Sequence, residues 1–74
     1  MGAGAQVVMT TWTVRIYRRD SETPVEYDKV KHAWWEDGGA RFVVAQYTNP
    51  PDPDHQYFIW PVALISHVAM KKES

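Results

Sequence analysis

Between Thr11 and Arg19 apolar and polar side chains trade places at every step. Trp12, Val14 and Ile16 fall on one side, and Thr11, Thr13, Arg15, Tyr17 and Arg19 on the other. A two-residue period fits a half-buried β-strand and excludes a helix, whose faces repeat about every 3.6 residues. No later stretch carries a long helical period either. The chain is therefore confined to an all-β fold.

The remaining punctuation divides the sequence into five extended segments, about 10–19, 25–36, 40–47, 56–60 and 65–70. Asp20-Ser21-Glu22-Thr23-Pro24 breaks the first segment with turn formers and a proline. In the second, Val25 and Tyr27 are followed by an apolar residue only at Val30, so the phase slips near Asp28-Lys29 and a bulge or short turn is expected. From there Val30, His32 and Trp34 alternate with Lys31, Ala33 and Trp35. Asp37-Gly38-Gly39 supplies residues that tolerate positive φ, as a tight hairpin requires. With Gly38-Gly39 as the loop, Glu36 faces Arg41, Trp35 faces Phe42, Trp34 faces Val43 and Ala33 faces Val44. Each such pair is worth roughly 0.2–1 kcal/mol, which favours this register over the one looped at Asp37-Gly38.

Three prolines in Thr48-Asn49-Pro50-Pro51-Asp52-Pro53-Asp54 exclude regular structure there and leave a stiff, exposed loop. Pro61 ends the fourth segment, and one helical turn is expected near 61–64. Five short antiparallel strands in succession imply a single small barrel or a strongly curved sheet over residues 10–71. Residues 1–9 read as a flexible extension and 72–74 as a solvated tail. The segment Tyr57-Phe58-Ile59-Trp60-Pro61-Val62-Ala63-Leu64-Ile65-Ser66-His67-Val68 resembles the closing strands of SH3-like and Sm-like small barrels: strand, proline, one turn, then Ile-x-x-Val. The resemblance spans residues 57–70 and implies a fold only. No helix is expected before the first strand and the Sm glycine-and-asparagine signature is absent, so no RNA-binding residue is implied.

A chain of 74 residues without cysteine has one small core and no disulfide to support it. Association with another chain is the remaining aid, and a protein partner or a homo-oligomer is expected. Lys plus Arg number 8 against 9 for Asp plus Glu, a balance unlike that of a dedicated nucleic-acid binder. No apolar run approaches the ~18 residues that cross a bilayer. The first residues do not have the pattern of a secretory signal. A cytoplasmic protein without membrane contact is the expectation.

Chemistry-bearing motifs are scarce. Asp52, Asp54 and His55 cluster on the loop without the helix face or glycine-bearing loop that metal ligands use. Ser21, Ser66 and Ser74 stand in no nucleophile motif, and no paired carboxylates or phosphate-cradling glycines occur. The expectation is a protein that is not an enzyme and takes no cofactor or metal.

The surplus is aromatic: four Trp, four Tyr and two Phe. Adjacent Trp34 and Trp35 cannot both point inward from a strand. Taking Trp34 with Val30 as the inward set leaves Trp35 outward, beside Phe42 and Val44, with Tyr17, Arg15 and Lys31 near them. Apolar rings rimmed by Arg and Lys are what contact surfaces favour. These residues read as the partner-binding face of a small assembly module, in keeping with an accessory protein of a phage, another virus or a bacterium. The alternative is a single-stranded nucleic-acid or nucleotide binder that stacks bases on Tyr17 and Trp35 beside Arg15, Arg19, Lys29 and Lys31.

Overall fold

A computed structural model describes residues 10–73. The expected N-terminal extension, residues 1–9, lies outside the described residues. Five antiparallel strands form one sheet: β1 (Trp12–Arg18), β2 (Val25–Glu36), β3 (Arg41–Tyr47), β4 (His55–Pro61) and β5 (Ile65–Lys72), in the order β4-β3-β2-β1-β5. A 3-10 turn at Val62–Leu64 stands where one helical turn was expected. Of the two expected forms the chain takes the strongly curved sheet, not closed into a barrel. The curl is visible across strands that are not neighbours. The Trp60 indole N–H on β4 donates to the Tyr27 hydroxyl on β2 at 3.0 Å, and the Tyr27 and Phe58 rings lie 4.7 Å apart. No helix among the described residues is long and apolar enough to cross a membrane.

The β2–β3 hairpin has the expected register, pairing Glu36 with Arg41, Trp35 with Phe42, Trp34 with Val43 and Ala33 with Val44. The connection is a 3-10 turn over Asp37–Gly39, in which Asp37, Gly38 and Gly39 all have positive φ (56, 64 and 93) and the two glycines adopt theirs without penalty. The expected slip at Asp28-Lys29 is also present: Trp12 pairs with Val30 but Val14 with Tyr27, and Lys29 sits at φ 52.

A second slip was not expected. Val30 pairs with Gln46 and His32 with Ala45, so β2 carries one extra residue at this point. One inserted residue moves every later side chain to the opposite face. Ala33 and Trp35 therefore join Val30 on the inner face, and His32 and Trp34 turn outward. The sides of the sheet assigned to Trp34 and Trp35 are reversed, but their exposures are not: Trp34 is half-buried, and Trp35 stays 47% exposed as expected.

The core is Val14, Ile16, Val30, Phe42, Val44 and Ile65, ringed by the partly buried Trp12, Tyr27, Ala33, Phe58, Trp60 and Val68. Burying each large apolar side chain is worth about 1.5–3 kcal/mol. The bulge serves this core: it lets a long strand serve both halves of the curved sheet while keeping Val30 and Ala33 on the same side.

The chain end is held more firmly than a solvated tail. β5 extends to Lys72 and pairs with Trp12, and the Glu73 amide donates to the Thr11 carbonyl at 2.9 Å. The Glu73 carboxylate accepts hydrogen bonds from the Thr11 and Thr13 hydroxyls and from the Lys29 amide, with the Lys29 ammonium 3.8 Å away. The Thr11 hydroxyl, aided by Thr13 and Lys29, holds this carboxyl below its ordinary pKa. A lowered folded-state pKa contributes stability that is complete above the unfolded value and is lost as pH falls through the folded one. Glu73→Gln should therefore cost on the order of 1–2 kcal/mol at neutral pH, and denaturation curves of variant and wild type should converge in acid. A gap that ignores pH would contradict the carboxylate's role.

Candidate functional site

The sequence makes β3 apolar on both sides. Phe42 and Val44 point into the core, and Val43 and Ala45, alternating with them, point out, yet all four are 4% exposed or less. Something must cover the outward pair, because an apolar face left to water costs free energy. The cover comes from both neighbours. In one cross-strand row Trp34, Val43 and Ile59 stand side by side, and in the next His32, Ala45 and Tyr57. Small side chains on the middle strand thus form a floor, and large ones on β2 and β4 flank it.

The flanking rings touch. His32 stacks on Trp34 with centroids 5.1 Å apart, and Trp34 meets Tyr57 edge-on at 6.2 Å across the floor. His55 adds a further ring, 5.0 Å from Tyr57, with its Nε2 2.8 Å from the Tyr57 hydroxyl. The Trp34 indole N–H donates to Glu36 at 3.2 Å, and Arg41 at this rim lies 3.5 Å from the same carboxylate group and 4.0 Å from that of Asp37. Tyr57 and Ile59 each remain 57% exposed. The result is an aromatic layer one side chain thick, with water on its far side.

The residues read from sequence as the contact face do not share a surface. Phe42 and Val44 are core residues, which corrects their expected place outside. The cause is the second bulge of β2. Trp35 lies at the margin of the inner face, 4.8 Å from Phe42 and 47% exposed. Lys31 is exposed at the bulge itself. Arg15 and Tyr17 stand on the outer side of β1, where Arg15 pairs with Glu26 and Tyr17 stacks on His67 at 4.1 Å. Sequence reasoning missed His32, Trp34, Tyr57 and Ile59 as a group. Their signal was the run Phe42-Val43-Val44-Ala45, since a strand apolar on both faces demands cover on both.

Cations gather elsewhere. Lys29, Lys71 and Lys72 line an open cleft of about 580 Å3 with Thr13 and Glu73, on the β1–β5 side of the sheet. Among the described residues no three His, Asp or Glu side chains converge as metal ligands. The His55 ring instead has its Nδ1 3.2 Å from the Pro53 carbonyl. No protein-family model, curated protein or solved structure matches the chain.

Proposed function

We propose that this chain is a non-catalytic binding module that docks a protein partner through the outer face formed by His32, Trp34, Tyr57 and Ile59. The single observation that carries this reading is the exposure of Tyr57 and Ile59 beside Trp34 on a sheet whose core is already complete on its other face. Exposed apolar surface of this kind, rimmed by polar groups, is how contact sites differ from ordinary surface. The exposed apolar rings and Ile59, with Arg41 at the rim already paired to Glu36 and Asp37, favour an apolar segment of the partner. The fold reading is an SH3-like small barrel left open, supported by the last strand lying beside the first and by the single turn between β4 and β5.

Nucleic-acid binding is the weaker reading, because bases need rings and cations along one path. Here the aromatic layer stands on β2 and β4, and the lysine cleft lies by β1 and β5, where Tyr17 and His67 are stacked on each other instead of presenting open ring faces side by side.

The test uses peptides selected from a random display library against the full chain. Selected peptides should carry aromatic or aliphatic anchors, and Trp34→Ala should weaken them about 30-fold or more, the effect of a contact hot spot. Equal binding to wild type, Trp34→Ala and Tyr57→Ala would overturn the reading. So would tight binding of a single-stranded oligonucleotide at low salt that weakens steeply as salt rises.

A further inference from the structure

We propose that the open edge of β4 pairs antiparallel with β4 of a second copy of this chain, across a two-fold axis at Phe58. The phase of the backbone fixes what that edge offers. The Val62 amide donates to Ala40 at 2.8 Å, and the Thr48 amide to Asp54 at 3.1 Å. With the β3–β4 register, bonded pairs fall on Gln56, Phe58 and Trp60, since backbone groups in an antiparallel strand alternate sides. His55, Tyr57 and Ile59 therefore turn their amide hydrogens and carbonyls away from β3. Pro61, which has no amide hydrogen, also falls on the outward phase, where a proline is tolerated. Among the described residues no strand pairs with this side.

Exposed edges are ordinarily guarded by charge, proline, inward lysines or bulges. β4 has only a proline, Pro61, at its very end: His55-Gln56-Tyr57-Phe58-Ile59-Trp60-Pro61 contains no Lys, Arg, Asp or Glu, and its pairing to β3 runs without a register shift. The other edge, β5, ends in Lys71 and Lys72.

Charge selects the occupant. A second β4 brings an edge equally free of Lys, Arg, Asp and Glu, whereas β5 of another copy brings two lysines. Symmetry selects the register. With the axis at Phe58, Tyr57 faces Ile59 of the other copy and His55 faces its Pro61. Every outward amide hydrogen then meets a carbonyl, and the side chains of Tyr57 and Ile59, each 57% exposed, pack against each other. This pairing stands without the partner-docking reading above, and if both hold, the two outer faces become continuous.

Sedimentation equilibrium of the full chain tests it. Wild type should approach twice the monomer mass as concentration rises. Ile59→Pro, which deletes an edge amide and no bond to β3, should stay monomeric with an unchanged circular dichroism spectrum. Ile59→Lys provides the same test should the proline disturb β4. In a mixture of Tyr57→Cys and Ile59→Cys chains, oxidation should yield a covalent dimer, because bonded cross-strand Cα atoms sit about 5.5 Å apart, within disulfide reach. Trp34→Ala should leave the dimer intact, which separates this proposal from the docking reading. A monomer at every concentration would overturn it. A dimer indifferent to both Ile59 variants would do the same, as would an assembly larger than two.

Discussion

Replacing Phe42 with alanine should remove about 3–5 kcal/mol of folding stability, the usual cost of emptying a buried phenylalanine site. The side chain is 4% exposed, in the cluster with Val30, Val44 and Ile65, and its row continues to Trp60 on β4 and Trp35 on β2. A domain of this length holds on the order of 5–10 kcal/mol in total, so the variant should be largely unfolded at modest urea. The size of the effect decides which face is the core. Had β2 kept one uninterrupted alternation, Phe42 would stand outside and its truncation would cost under about 1 kcal/mol. Urea denaturation followed by circular dichroism distinguishes the two, and a loss that small would overturn the face assignment.

Ile16→Ala should cost about 2–5 kcal/mol, at a site in the other half of the sheet. Ile16 is fully buried, paired with Val25 on β2 and Val68 on β5. It nevertheless belongs to the same cluster as Phe42, because β2 runs through both halves and the sheet curls over it. The two halves should therefore melt together. Tryptophan fluorescence, weighted by Trp34, Trp35 and Trp60 in the β2–β4 half, should lose signal at the same urea concentration as backbone circular dichroism. Separate transitions would mean two cores in place of one.

Much of the fold was legible because local chemistry decided it. Alternation around Trp12, Val14 and Ile16 announced β1, the pair Gly38-Gly39 set the hairpin, and cross-strand energetics chose its register. The slip at Asp28-Lys29 showed because it interrupts an apolar series. The slip after Val30 did not, because Lys31, Ala33 and the two tryptophans read as a regular strand in either phase. Only tertiary burial of Phe42 and Val44 selects the phase in which Trp35 goes inward. The end of the chain was misread for a related reason: Lys71-Lys72-Glu73 looks solvated until Thr11 and Thr13 are brought beside it by β1–β5 pairing.

The candidate site was half legible. A surplus ring was required by the Trp34-Trp35 doublet, and it is Trp35 that stays exposed, as expected, though at the margin of the inner side, while Trp34 stands half-buried on the outer one. Tyr57 and Ile59 gained their place from a long-range pairing between β3 and β4 that composition cannot show. A free edge on β4 follows from the same pairing, since the strand order leaves it without a neighbour. Both surfaces are thus consequences of where β3 sits, between a strand that supplies Trp34 and one that supplies Tyr57.

The most direct measurement is nuclear magnetic resonance chemical-shift mapping of a selected peptide on the isotopically labelled full chain. Perturbations should concentrate at His32, Trp34, Val43, Ala45, Tyr57 and Ile59. Clustering at Trp35, Val62 and Leu64, or around Lys29, Lys71 and Lys72, would place the contact elsewhere and contradict the account.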